Sequence, residues 1–141
     1  MPSVVLQTEV FEQAIDPVLA APGAVLDTLR IGKSAAGEVV LSWADSCVAS
    51  DGDYEIYFTE LDAWGDKLFP DLRLTFAYGF SVNVDMAWNG AEFIVVWQDE
   101  RTGQFEIMAQ RVGYEGDKIG NNVKLSQDAN FLDESPSIAA G

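Results

Sequence analysis

The stretch WNGAEFIVVWQDERTGQFEIMAQRV, residues 88–112, contains two glycine-containing turn signals and two apolar runs. Its run Phe93–Trp97 is short, β-branched and aromatic, which is typical of a β-strand rather than a helix. Asn89-Gly90 predicts a two-residue type I′ connection to the preceding strand, because both central positions of that turn need positive φ. The stretch therefore predicts a β-hairpin that continues into a larger sheet.

The residues that follow complete a four-stranded unit. Thr102-Gly103 predicts a turn into FEIMAQRV, and GYEGDKIG, residues 113–120, predicts a turn into VKLS. Strands joined this closely must run antiparallel, because a crossover helix needs a longer connection. Phe93–Trp97 does not alternate between apolar and polar residues, so we expect both faces of that strand to be covered.

A similar unit precedes this one. Residues 54–75 align without a gap to residues 105–126, at an offset of 51, and residues 38–43 align to residues 92–97 at an offset of 54. The extra residues fall in a predicted loop, where insertions are tolerated. The identical pairs are Glu38/Glu92, Trp43/Trp97, Glu55/Glu106, Ile56/Ile107, Gly65/Gly116, Asp66/Asp117, Lys67/Lys118 and Leu74/Leu125, with Arg73/Lys124 and Thr75/Ser126 conservative. A period of this length is typical of repeat architectures.

These patterns predict an all-β chain of antiparallel four-stranded sheets, arranged as about two blades of a β-propeller. The alternative is a β-sandwich of the two sheets. We divide the chain into an N-terminal segment at 1–30, in which VFEQAIDPVLAA predicts a short helix, a first β unit at 31–80, and a second at 81–141. The second unit includes the start of a further strand in SPSIAAG, residues 135–141.

Composition excludes several chemistries. The 141 residues include no histidine, so Ser/His/Asp and Cys/His catalysis and histidine metal ligands are excluded. Cys47 is the single cysteine, so no internal disulfide forms. The net charge of −15 predicts neither nucleic-acid binding nor association with anionic membranes. The N-terminus lacks a basic, apolar export signal, and no apolar run is long enough to predict membrane insertion.

Two groups of residues are candidates for binding. Asp51 and Asp53, in the acidic stretch SDGDYE, are a calcium candidate, although the spacing of an EF-hand is absent and a plain acidic turn is the alternative. Asp99 and Arg101, which follow the strand of Trp97, are either a ligand pair or an ion pair that fixes a hairpin. No other cofactor is predicted.

Aromatic residues divide into two kinds. Trp64 and Tyr114 occupy matching turns, where they are candidates for stacking on a sugar or a partner, or alternatively cover a sheet edge. Trp43 and Trp97 recur at the same position within apolar strands, so we expect them in the core.

The second unit resembles the blades of bacterial exported β-propellers. The resemblance rests on the pattern Trp-x-Asp-x-Arg-x-Gly, here Trp97, Asp99, Arg101 and Gly103, followed by Glu106-Ile107 and Gly116, and it covers residues 81–141 best. It implies a secreted or cell-surface scaffold, and scaffolds of this kind host many functions. Two units are fewer than the four to eight blades of a closed propeller. The chain is therefore a piece of a longer protein, an assembly of copies, or a sandwich.

The predicted function is non-catalytic: a binding or scaffold module whose ligand is a glycan or a protein and whose assembly partners are copies of itself or further blades. A purely structural segment is one alternative. The other is a hydrolase whose site other chains complete, since paired carboxylates can perform acid–base catalysis. No pair among the 23 acidic residues stands out in the sequence.

Overall fold

Two four-stranded antiparallel sheets make up the described part of the chain, in a computed structural model that describes residues 26–34, 36–46, 53–127 and 135–141. The first sheet has the order β1-β2-β3-β4 and the second has the order β5-β6-β7-β8. The strands are β1 (Leu26–Lys33), β2 (Val39–Asp45), β3 (Glu55–Leu61), β4 (Leu72–Arg73), β5 (Ser81–Trp88), β6 (Glu92–Asp99), β7 (Glu106–Gly113) and β8 (Lys118–Lys124).

The predicted all-β class and the four strands of each unit are confirmed. The first sheet begins at Leu26, within the segment that the sequence left unassigned. Residues 135–141 form no regular strand. The helix predicted for VFEQAIDPVLAA lies outside the described residues. The propeller and the sandwich both contain two such sheets, so this architecture is common to the two predictions.

The predicted type I′ turn at Asn89-Gly90 is wrong, although the hairpin forms. Gly90 has a φ of +101°, but Asn89 is not among the described non-glycine residues with positive φ. The connection instead has three residues, Asn89, Gly90 and Ala91, between β5 and β6. The Asn89 side-chain oxygen stabilises it by accepting hydrogen bonds from the amides of Ala91 and Glu92, both at 3.0 Å. A side-chain turn of this kind replaces the backbone geometry of a type I′ turn.

The matching turns of the two units share one geometry. In the first unit the Asp62 amide donates to the Asp66 carbonyl at 2.9 Å, and in the second the Gly113 amide donates to the Asp117 carbonyl at 2.8 Å. The strand β8 begins at Lys118, directly after this turn and earlier than VKLS. Residues aligned at an offset of 51 therefore occupy the same positions in the two sheets.

Tryptophan marks one face of each sheet, which we call its tryptophan face. Successive residues of a strand point to opposite faces, and the core between the sheets contains Phe93, Val95 and Trp97 from β6. The second sheet thus turns its tryptophan face toward the first. From β2 and β3 the same core contains Val40, Ala44, Ile56 and Phe58, which lie on the face opposite Trp43.

The two sheets therefore stack with their tryptophan faces pointing the same way, so that unlike faces meet between them. Trp43 is fully buried, stacked on Tyr57 with ring centroids 5.8 Å apart, but on the side of the first sheet that points away from the second. The prediction that Trp43 and Trp97 are core residues is confirmed. The covering of both faces predicted for Phe93–Trp97 holds for four of its five residues, since Ile94 is only half-buried. In the first sheet, every residue of β3 is buried.

Truncation of Trp97 tests this assignment of the core. Trp97→Ala should lower the free energy of unfolding by about 3–5 kcal/mol, because it opens a cavity between the sheets. Trp64→Ala, at a side chain that is 86% exposed, should change it by less than about 1 kcal/mol. Urea unfolding followed by circular dichroism measures both, and similar losses would contradict the assignment.

Candidate functional site

A buried carboxylate follows the same plan in both sheets. Glu55 is almost completely buried, and its Oε1 accepts a hydrogen bond from Arg73 Nη2 at 2.8 Å. Its Oε2 accepts from the hydroxyl of Thr75, which in turn accepts from the Ile56 amide at 2.9 Å. The carboxylate is therefore satisfied by a cation and a hydroxyl that the chain supplies 18 and 20 residues later.

Glu106 repeats this arrangement with related residues. Lys124 Nζ donates to Oε1 at 2.6 Å, the Ser126 hydroxyl donates to Oε2, and the Ile107 amide donates to the Ser126 oxygen at 3.1 Å. The hydrogen bond from Lys124, followed by that from Ser126, lowers the pKa of Glu106. The conservative pairs Arg73/Lys124 and Thr75/Ser126 thus preserve the same hydrogen-bond network in each sheet. It joins β3 to the β4 segment in the first sheet and β7 to β8 in the second.

Asp99 and Arg101 form a bidentate ion pair at the β6–β7 turn. Arg101 Nε and Nη2 lie 2.6 and 2.7 Å from the two oxygens of Asp99, which also accept from Trp97 Nε1 at 2.7 Å and from the Ser81 hydroxyl at 3.0 Å. Burial opposes ionisation of Asp99, but the hydrogen bonds from Arg101 and Trp97 prevail and lower its pKa. Asp99 is fully buried, so the geometry is that of the hairpin-fixing ion pair.

The first sheet has a different environment at the equivalent tryptophan. Trp43 Nε1 is buried and has no hydrogen-bond acceptor among the described residues. The loop that follows in the first unit, residues 47–52, lies outside the part of the chain that the structure describes.

The aromatic candidates on the turns are both exposed. Trp64 lies in the turn after β3, and Tyr114 in the turn after β7, where it is 61% exposed. Tyr114 also lines a cleft between the two sheets. Stacking on a ligand stays a prediction for both.

Of the calcium candidates, Asp53 is described and Asp51 is not. Asp53 Oδ2 accepts a hydrogen bond from the Gly79 amide at 2.9 Å, which ties the start of β3 to the loop before β5. Within the described ranges, no group of three or more acidic or cysteine side chains is placed to hold a metal ion. The described residues also contain no helix that is long and apolar enough to cross a membrane.

A cleft of about 270 Å³ opens between the sheets at the end that carries Tyr114. It is formed by the β1–β2 turn, by the end of β5 with its following turn, and by the β7–β8 turn. Its lining residues are Ser34, Ala36, Glu38, Trp88, Gly90, Ala91 and Tyr114. Trp88 packs on Phe93 with ring centroids 4.7 Å apart, so the core fixes its ring at the mouth of the cleft.

Two carboxyl groups lie behind this mouth. Glu38 Oε2 accepts a hydrogen bond from the Ser34 hydroxyl at 2.7 Å. Glu60 is fully buried, and neither of its side-chain oxygens has a hydrogen-bond partner in the described structure. Burial, followed by the neighbouring Glu38 carboxyl group, raises the pKa of Glu60 to about 7, against a smaller lowering by the Ser34 hydroxyl.

Sequence reasoning did not single out this cleft, but a signal for it exists. At an offset of 51, Glu60 aligns with Arg111, and at an offset of 54, Glu38 aligns with Glu92. Glu92 and Arg111 form an ion pair at 2.7 Å in the second sheet. The corresponding position in the first sheet has two acids and no base.

Comparisons with protein-family models, with curated proteins and with solved structures give no match.

Removal of Arg101 tests the role of its ion pair. Arg101→Met leaves the Asp99 charge buried without its counter-ion, so we expect a loss of about 2–3 kcal/mol at pH 7, less than for a fully buried pair because Arg101 is partly exposed. A protonated Asp99 needs no counter-ion. The difference between Arg101→Met and the wild type should therefore shrink as the pH falls toward 3, as thermal melts across this range would show, and a difference independent of pH would contradict it.

Calcium should stabilise the protein only as a screening ion. The charge of −15 makes any cation stabilising, so millimolar calcium, magnesium and sodium chloride at matched ionic strength should raise the melting temperature alike. The control is Asp51→Asn/Asp53→Asn. A rise specific to calcium that this double variant abolishes would establish a metal site instead.

Proposed function

We propose that this chain is a non-catalytic scaffold module in which four-stranded sheets stack as the blades of a β-propeller do. The observation that carries the proposal is the stacking of both sheets in one direction. In a sandwich of equivalent faces, Trp43 and Trp97 would share one core, whereas here only Trp97 belongs to the core between the sheets. Because unlike faces meet in such a stack, the second sheet keeps its opposite face free to receive the tryptophan face of a further sheet.

The opposite face of the second sheet, formed by Ile94, Ala109, Val123 and Leu125, has the features of such a face; we call it the open face. Leu74, which aligns with Leu125, is fully buried against the second sheet, while Leu125 is 50% exposed. Ile94, Ala109, Val123 and Leu125 also line an apolar groove of about 340 Å³. Burial of apolar surface is favourable by about 25 cal/mol per Å², so this face favours the docking of another sheet.

The C-terminal residues support the same arrangement. The Ile138 amide donates to Asp85 Oδ2 at 3.0 Å, and the Ser135 amide donates to Gln98 Oε1 at 3.2 Å. The segment 135–141 thus lies next to β5, much as β5 lies next to β1 through the Arg30–Asp85 ion pair at 3.7 Å. First strands of successive blades lie side by side in this way around a propeller axis.

The proposal extends to location and partners. The pattern from Trp97 to Gly103 resembles exported bacterial propeller blades, so the module belongs to a secreted or cell-surface protein. Its assembly partners are further sheets of the same kind, in the same chain or in copies of it, and its binding partner is a protein or a glycan.

The oligomeric state of the isolated chain tests the open face. We expect light scattering at tens of micromolar to give a mass above the monomer, because an apolar sheet face and its edges promote association. The double substitution Val123→Glu/Leu125→Glu should restore the monomer without lowering the melting temperature.

The matched control is Trp64→Glu/Leu68→Glu, which adds the same two charges at exposed apolar residues of a turn. It should leave the association unchanged. A wild-type chain that is monomeric with a cooperative melt, or a control that dissociates equally, would refute docking at the open face.

A further inference from the structure

The cleft between the sheets lacks a cation that its counterpart in the second sheet contains. Glu92 and Arg111 form an ion pair, with Arg111 Nε 2.7 Å from Glu92 Oε1. The aligned residues of the first sheet are Glu38 and Glu60, and neither belongs to an ion pair of the described residues. The same place in the two sheets therefore holds a Glu–Arg pair in one case and a Glu–Glu pair in the other.

Of the two carboxyl groups, that of Glu38 lines the cleft and that of Glu60 is buried beside Glu38. Glu60 pairs with Val40 across β2 and β3, and its side chain lies on the same face as Ile56 and Phe58, toward the second sheet. Glu38 is two residues before Val40 and lines the cleft itself, where the Ser34 hydroxyl fixes one of its oxygens. Glu60 is thus a buried acid without a basic partner among the described residues, next to an acid that reaches the cleft.

Aromatic groups form the outer wall of the same cleft. Trp88 is half-buried and held against Phe93, and the largely exposed Tyr114 also lines the cleft. The face of an aromatic ring attracts a cation, and tryptophan does so most strongly. A carboxylate floor with an aromatic wall suits an organic cation better than calcium, which requires six to eight oxygen ligands.

We propose that this cleft binds a guanidinium or ammonium group, such as the side chain of an arginine or a lysine on a partner, in the position that Arg111 fills in the second sheet. The cation bonds to Glu38, neutralises the charge of Glu60 behind it, and packs on Trp88. Small ligands with a single positive charge satisfy these contacts. The site is separate from the open face, so it stands whether or not a further sheet docks there.

Proton release accompanies binding. Without a ligand, a proton on Glu60 relieves the proximity of two carboxylates, and a bound cation replaces that proton. Glu38 is the charged group that acts on Glu60. Lys67, which lies beside the end of β3 through a bridge to Leu61, is paired with Asp71 at 2.7 Å. Tyr114 is the other titratable residue of the lining, and its hydrogen bond with Glu115 raises its pKa, which keeps it neutral.

The sign of the pH dependence follows. Above its pKa of about 7, Glu60 is ionised, and the cation then binds without displacing a proton. One pH unit below that value about nine-tenths of the Glu60 side chains are protonated, so the affinity should be roughly tenfold lower at pH 6 than at pH 8.

Isothermal titration calorimetry with N-acetyl-L-arginine amide tests the site on the intact chain. We expect saturable binding below about 10 mM at pH 8, weaker binding at pH 6, and, at pH 7, release of up to about half a proton per bound ligand, because half of the Glu60 side chains are protonated there; buffers of different ionisation enthalpy detect this release. The citrulline analogue, which has nearly the same shape without the charge, should not bind.

Variants at three positions assign the binding to the cleft. Glu38→Gln should weaken it at least tenfold, whereas Glu100→Gln, which removes one charge at the β6–β7 turn on the opposite end of the sheets, should not change it. Glu60→Arg should recreate the pair of the second sheet and abolish binding; if that variant does not fold, Glu60→Gln should remove the pH dependence instead. Absence of saturable binding to the folded wild type, equal binding of citrulline, or equal losses in the Glu38 and Glu100 variants would overturn the proposal.

Discussion

The burial of the tryptophan face of the second sheet against the opposite face of the first is the constraint on which the rest of the structure depends. Trp97 and Phe93 project from β6 into a layer that Ile56 and Phe58 of β3 form on the other side. Because the two contacting faces are different, each sheet needs two apolar faces, and the strands cannot alternate between apolar and polar residues. This explains why FIVVW is continuous and why β3 is buried along its whole length.

Charged groups inside such a stack must be balanced by the chain itself. Glu55 and Glu106 illustrate the rule, since each is matched by a basic residue and a hydroxyl at fixed distances along the sequence. Asp99 obeys it through Arg101, Trp97 and Ser81. Unpaired buried charges are costly, so these networks fix how the strands meet. The Glu38–Glu60 pair departs from the rule, and for that reason it is the position at which a ligand is expected.

Much of the fold could be predicted from the sequence. Turn pairs such as Thr102-Gly103 and the aligned Trp43 and Trp97 locate the strands, because periodicity and turn chemistry are local properties. The direction of stacking could not be predicted, because it depends on which of two apolar faces of β2 meets β6. The geometry at Asn89-Gly90 was missed for a related reason: the Asn89 side chain competes with the backbone for the turn amides.

The candidate site was less accessible to sequence reasoning. The turn aromatics and the Asp99–Arg101 pair stand out as residue types, but Asp99 is fully buried and occupied by its neighbours. The cleft depends on a substitution, Glu60 in place of Arg111, that is visible only when the two units are aligned and the strands are placed. Its aromatic wall comes from Trp88, which the sequence presents as an ordinary strand residue, because the contact between sheets is a tertiary property.

A double-mutant cycle between Phe58 and Phe93 tests the direction of stacking most directly. These rings come from different sheets, with centroids 5.4 Å apart, and they meet only if the tryptophan face of the second sheet packs on the opposite face of the first. Phe58→Leu and Phe93→Leu should show a coupling energy of about 0.5–1.5 kcal/mol. The cycle of Tyr57→Leu with Phe93→Leu, in which Tyr57 lies on the far face of β3, should show none. A negligible Phe58–Phe93 coupling together with a clear Tyr57–Phe93 coupling would contradict the account.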